Sequence, residues 1–354
     1  MDVVGSVGFC FAVPVASFVL SRVHAKRVFA SDLSREEGIY RIRRFIILFQ
    51  VPLALLLVFP VIFDVFPLPA DNVLLVVLVF VVAYTISVIA AVFGAIPYYS
   101  RLKGEEVDVG GSVKNIVLVV AMAMLPVFVW LAVVVGFRVK AEYMVPLSAV
   151  FAFFVAVISP NMFTLFYRAK RLEDPMRSEI LKFCEKCGVR ISDVRVVSTP
   201  EKVANARLSG VVRTRLFLTD HLLDTFSRDE LMAVVAHEIG HLKGRHNLVN
   251  VVFTIAFFAA WMYALISIRL SFYGFLLLIL ATFLVYFVLM GKIRMQMEFL
   301  ADSYAARVVG NDLYIRTLSK LAEINVLQRS DGLLSILMAH PPIEDRIKRL
   351  SVKS

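Results

Sequence analysis

Val234-Val235-Ala236-His237-Glu238-Ile239-Gly240-His241-Leu242 is the stretch around which the rest of the chain is organised. Two histidines four apart lie about one helical turn from each other on the same face. Both imidazoles can then reach one tetrahedral zinc, at roughly 2.0–2.1 Å per nitrogen. Glu238, beside the first of them, is placed to take a proton from a water in that site. Upstream, Ser227-Arg228-Asp229-Glu230 has capping-box spacing, so a helix is predicted to begin there and run through the motif. The apolar run Leu231 to Ala236 is expected to bury one side of it. A coincidental five-residue match on an amphipathic helix is the competing reading. A third ligand elsewhere in the chain decides between the two.

The surroundings of this helix are not those of an ordinary soluble enzyme. The 354 residues are 59% hydrophobic, and long uncharged runs dominate the first half. The net charge of +10 sits largely beside apolar runs, where it orients a chain in a bilayer. No basic stretch with interleaved stacking aromatics stands out, so a lipid bilayer is the expected partner and nucleic acid is not. Three cysteines imply no disulfide framework. The first apolar run has its positive charges after it rather than before it, which argues against a cleavable leader.

Residues 1–167 hold five apolar runs: Val3 to Leu20, Phe45 to Phe66, Val73 to Ile96, Ile116 to Val135 and Met144 to Phe166. Each is near the ~20 residues that cross a hydrocarbon core. In residues 168–247 charges become frequent and elements short. Glu179 to Cys187 reads as a helix, and Ile191 to Val197, Val203 to Ser209 and Arg215 to Thr219 as strands leading to the metal helix. Residues 248–290 hold two more runs, Leu248 to Ile268 and Ser271 to Met290. The tail, 291–354, reads as helical. The expected fold is therefore a mainly α membrane protein of about seven transmembrane helices with an inserted α+β zinc domain. The basic loops are the odd-numbered ones, beginning with Arg22, Lys26, Arg27, Arg35, Arg41, Arg43 and Arg44. By the positive-inside rule the zinc domain and C-terminus are expected in the cytoplasm and the N-terminus outside.

A hydrolytic zinc site needs a third protein ligand and an open position for water. Glu298-Phe299-Leu300-Ala301-Asp302, just beyond the seventh run, offers one. Glu298 and Asp302 share a helix face. Glu298 can ligate one zinc per chain, and Asp302 can accept a hydrogen bond from the far nitrogen of a ligand histidine. An acidic pair on a solvated helix end is the plainer alternative.

HExxH followed by Glu-x-x-Ala-Asp is similar to the pattern of the zinc endopeptidases that include HtpX and the type I CAAX prenyl proteases. Asn205-Ala206-Arg207-Leu208-Ser209-Gly210 resembles that family's substrate-edge strand, and His340-Pro341-Pro342-Ile343-Glu344-Asp345-Arg346 its C-terminal His-Pro…Arg element. The resemblance covers residues from about 200 to 350. It implies that Asn205 holds an extended substrate backbone and that His340 and Arg346 donate to the oxyanion. Met295-Gln296-Met297 departs from it, since basic residues are common there in HtpX-type members. Five runs before the zinc domain and two after resemble the CAAX-protease branch. The implied activity is zinc-dependent hydrolysis of membrane-associated polypeptides, in processing or in quality control. A catalytically silent zinc-containing scaffold or channel is the alternative.

Two smaller signals remain. Cys184-Glu185-Lys186-Cys187 lacks a second pair to complete a zinc site and reads as structural. His246, five residues after His241, is expected off the metal face, capping the helix end.

Overall fold

The computed structural model describes residues 3–35, 37–42, 44–46, 73–104, 106, 108–114, 116–118, 129, 133, 141–198, 203–210, 212–267, 272–325 and 343–351. Most of the second and fourth apolar runs, and His340, lie outside the described residues. The chain forms two compact units, Met1–Val139 and Lys140–Ser354.

In the first unit, helices α1 (Val3–Phe29) and α2 (Val73–Lys103) pack along each other. Gly94 permits the close approach, because a Cβ there would run into the Phe18 carbonyl oxygen and lie 3.1 Å from the Arg22 amide nitrogen. Small residues at a crossing let apolar helices gain dispersion contacts where hydrocarbon offers no hydrophobic drive. Both helices end in bases, Lys26 and Arg27 in one, Arg101 and Lys103 in the other.

The second unit begins with α3 (Ala141–Phe166) and runs through β1 (Lys170–Arg171), α4 (Met176–Lys186), β2 (Asp193–Val197), β3 (Ala206–Ser209) and β4 (Arg215–Thr219). It continues with α5 (Asp220–Thr225), α6 (Arg228–Lys243), α7 (His246–Ser267), α8 (Phe272–Val309), α9 (Asn311–Asn325) and α10 (Ile343–Ser351). The strands form one sheet in the order β1-β2-β4-β3. β2 and β4 are parallel, with Val194 beside Leu216, and the outer pairs are antiparallel. The two-residue β1 has no sequence periodicity to announce it, and β3 starts three residues later than the alternation at Val203 suggests.

The predicted capping box is present at the start of α6. Ser227 Oγ accepts the Glu230 N–H at 3.3 Å, and Glu230 Oε2 accepts the Ser227 N–H at 2.7 Å. Leu231 to Ala236 are buried throughout, not on one side only. Leu231, Val235 and Ile239 join the core made with Val194, Leu216 and Leu218 of the sheet. Ala233 and Ala236 face a second core with Ala305, Tyr314, Leu318 and Leu350. α6 is thus the central helix, clamped between sheet and C-terminal helices. Full burial of each large side chain contributes about 1.5–3 kcal/mol.

α8 runs unbroken for 38 residues, about 57 Å at 1.5 Å per residue. That exceeds the ~30 Å hydrocarbon core of a bilayer. Among the described residues, Val82–Lys103 and Pro146–Phe166 are long and apolar enough to be membrane spans. Large apolar side chains are exposed along these and other helices, including Leu165 at 75% on α3 and Leu284 at 63% on α8. Lipid-facing helices present such surfaces.

Candidate functional site

His237 and His241 lie on α6 and Glu298 on α8, and the structure brings the three together. The two Nε2 atoms are 3.1 Å apart. Nε2 of His237 is 3.5 Å from Glu298 Oε2, and Nε2 of His241 is 3.3 Å from Glu298 Oε1. A tetrahedron with metal–ligand bonds of roughly 2.0–2.1 Å has edges of roughly 3.3–3.4 Å, and each of these separations lies near that length, the two to Glu298 being made by different carboxylate oxygens. The donor set fits zinc in chemistry, and one atom from each residue lies within 4.8 Å of the others.

Gly240 makes this convergence possible. A Cβ there would meet Ala301 Cα at 2.8 Å and the Ala301 carbonyl oxygen at 3.1 Å. Glycine in a helix interior costs about 1 kcal/mol relative to alanine, so its presence needs a reason, and the reason is backbone contact between α6 and α8. Gly240→Ala is expected to force the helices apart. Overpacking of this kind costs about 1–3 kcal/mol, and zinc affinity should fall with it because Glu298 retreats from the histidines. Zinc competition against a chelator reads the effect, and parent affinity in the alanine variant would refute the contact's role.

Asp302 and Glu298 are 1% and 5% exposed. Asp302 Oδ1 lies 3.0 Å from His237 Nδ1 and accepts the Tyr314 hydroxyl at 2.6 Å. The same hydroxyl is 2.9 Å from His237 Nδ1. Arg346 reaches the same carboxylate with both arms, Nε to Oδ2 at 2.8 Å and Nη2 to Oδ1 at 2.6 Å, while Nη2 stands 3.5 Å from Glu298 Oε2. Burial alone would raise the Asp302 pKa, but the Arg346 charge and hydrogen bonds hold it well below the usual carboxylate range. Burial also opposes a charged His237, yet Asp302 and Glu298 outweigh it and push that imidazole up to about 10. The field that holds a proton there favours any cation. Two buried carboxylates against one guanidinium leave a negative balance that favours a bound cation.

Glu238 turns from α6 toward the edge strand, where its Oε2 accepts the Leu208 N–H at 2.9 Å. β3 is the last strand of the sheet. The pairing of Asn205 with Thr219 places the N–H groups of residues 206 and 208 on its outer side. Asn205 itself is exposed just before the strand, its N–H donating to Thr219 Oγ1 at 2.9 Å and its carbonyl accepting the Thr219 N–H at 3.0 Å. The sheet is tied to the end of the apolar helix α3. Arg215 donates to Asn161 Oδ1 at 2.7 Å, Ser159 and Ser209 hydroxyls are 3.2 Å apart, and Arg207 lies over the Phe163 ring.

His246 corrects an expectation. Instead of pointing off the metal face, it is 4% exposed with its Nδ1 only 2.7 Å from Nδ1 of His241. Helical spacing fails here because α6 ends at Lys243 and the chain turns before α7. Burial, and then the neighbouring His241, holds His246 down at about 4, so it is a neutral ring. Tyr314 is the other participant that sequence spacing could not reveal. Cys184 is buried and Cys187 half-buried, and burial pushes the Cys184 thiol up to about 12. That makes it a poor nucleophile.

The chain is similar to known proteins over much of its length. The chain is 25% identical over 275 residues to a protein named Protease HtpX homolog from Syntrophotalea carbinolica, covering 68% of this chain and 97% of that one. Over 211 residues it is 28% identical to Protease HtpX of Ectopseudomonas mendocina, covering 51% and 73%. The crystal structure of S. mikatae Ste24p shares the fold, with a TM-score of 0.63 at 20% identity over 97% of this chain and 98% of that one. Residues 170–353, more than half the chain and all of the metal-centre residues described above, match Peptidase family M48, and the chain belongs to that family.

Proposed function

We propose that this protein is a zinc-dependent integral membrane endopeptidase whose metal is held by His237, His241 and Glu298. The observation that carries the reading is the convergence of those three donors beside Glu238 at the outer edge of β3. A catalytically silent scaffold is the weaker reading, since a purely structural zinc has no use for a carboxylate at Glu238.

Zinc in that site supplies Lewis acidity, polarising a scissile carbonyl and making a water easier to deprotonate. The chain's own residues do the rest. Asn205 and the outward N–H of Ala206 align an extended polypeptide along the strand edge, so that main-chain hydrogen bonding sets its register. Glu238 takes the proton of the attacking water and delivers it to the departing amine nitrogen. Asp302, held by Arg346 and Tyr314, keeps the His237 proton on Nδ1, so that Nε2 offers its lone pair to the metal. His340, from the family resemblance, donates to the oxyanion. Arg346, implied in the same role, is the residue whose guanidinium grips Asp302.

The topology that fits is seven spans with the N-terminus outside and the metal domain and C-terminus in the cytoplasm. Residues 1–167 and 248–290 then form the membrane part, and residues 168–247 and 291–354 close the site between them. Substrates are membrane-associated polypeptides, entering beside the apolar helix to which the sheet is tied.

Purified protein in detergent is expected to contain about one zinc per chain and to cleave an unfolded polypeptide in a chelator-sensitive manner, with activity restored by zinc. Cleavage indifferent to chelator, or zinc without cleavage of any substrate, would overturn the reading.

A further inference from the structure

The turn between α6 and α7 is built around a histidine that no hydrolytic step above uses. Gly244 closes α6 with an ordinary φ of −72°, so it is not glycine for backbone reasons. It is glycine for space, because a Cβ there would collide with the His246 ring. Arg245 then adopts a left-handed φ of 51°, uncommon for a side-chain-bearing residue. The chain is thereby redirected so that the first residue of α7 folds its imidazole back onto His241.

We propose that His246 is a positioning residue for the metal centre, its Nδ1 accepting the Nδ1–H of His241 and so committing the Nε2 lone pair of His241 to the metal. The proposal rests on the assignment of His237, His241 and Glu298 as ligands. Two imidazole nitrogens 2.7 Å apart attract each other only if one of them carries a proton. Nε2 of His241 faces His237 and Glu298, so it is the ligating atom and the proton of the neutral ring belongs on Nδ1. His246 must then be the acceptor, with its own proton on Nε2. The two rings meet at 79° with centroids 4.8 Å apart, which is an edge contact and not a stack.

The two ligand histidines are therefore oriented by different chemistry. His237 is backed by the Asp302 carboxylate, whose charge Arg346 balances. His241 is backed by a neutral ring. A carboxylate in that place would add a third buried negative charge next to Glu298 and Asp302, where Arg346 is the one guanidinium in contact with them among the described residues. Neutral backing supplies direction without that cost.

The test compares two replacements in the full-length protein. His246→Phe keeps the ring and removes the acceptor. His246→Asn sets Oδ1 where Nδ1 stood and keeps it. Zinc affinity by chelator competition, with kcat and KM on a quenched peptide, is the readout. The Phe variant is expected to bind zinc about 10–100-fold more weakly, the usual loss when a ligand's orienting partner is removed. The Asn variant should stay close to the parent. Equal affinities for the two variants, both weakened or both at the parent value, would overturn the proposal. Should the Phe variant not fold, Gly244→Ala displaces the ring by sterics. Weakened zinc in Gly244→Ala with parent-like His246→Asn supports the assignment, and the reverse overturns it. A parent protein that binds no zinc would instead remove the ligand assignment itself.

Discussion

Glu238→Gln is expected to retain about one zinc per chain and to lose peptide hydrolysis by about 10²–10⁴-fold in kcat, the range assigned to a positioned proton-transfer group. The substitution is nearly isosteric and its amide oxygen can still accept the Leu208 N–H, so the edge strand should stay where it is. None of the three donors that converge on the metal position is touched. What disappears is a basic oxygen able to hold the water's proton. KM should therefore move little, because the lost interaction belongs to the transition state. Glu298→Gln provides the contrast, since it weakens the metal site directly and should lower zinc content and activity together. Metal analysis and quenched-peptide kinetics on the two variants distinguish a base from a ligand. Hydrolysis by Glu238→Gln within a few-fold of the parent would remove Glu238 from the mechanism.

The contrast between those two residues also shows which parts of the site were legible in the chain. His237 and His241 announce themselves because their spacing matches the helix period, and the capping box at Ser227 marks where that helix starts. Glu298 and Asp302 could be picked out by their spacing and by their place beyond an apolar run. Their distance from the histidines could not, because it depends on Gly240 lying against Ala301 across two helices far apart in sequence. Tyr314 and Arg346 reach Asp302 through the docking of α9 and α10, tertiary contacts that leave no periodic trace. His246 was misplaced for a definite reason. Helical spacing does not carry through a turn where Arg245 is left-handed, and a single such residue redirects everything after it. The strands that line the core, β2 and β4, were readable from their apolar content, whereas β1 is too short to have a pattern.

Arg346→Leu carries the other large expectation. Arg346 and Asp302 are 6% and 1% exposed and joined by two hydrogen bonds of 2.8 and 2.6 Å. Removing the guanidinium leaves Asp302 as a buried charge with Tyr314 and His237 as its remaining partners among the described residues. Breaking a buried pair in this way costs about 3–5 kcal/mol, which should appear as a large drop in the denaturation midpoint of the detergent-solubilised protein. Zinc affinity should fall as well, since a carboxylate no longer held in place orients His237 less well. Asp302→Asn should also destabilise, by stranding the guanidinium, which then has Glu298 at 3.5 Å as its carboxylate among the described residues. The double variant should be less damaged than the sum of the two, because neither charge is left alone. An oxyanion donor with no part in holding Asp302 behaves differently. Its loss lowers kcat while stability and zinc affinity stay at parent values. Additive damage in the double variant, or an Arg346→Leu protein as stable and as zinc-avid as the parent, would show that the Asp302 grip is not what Arg346 contributes.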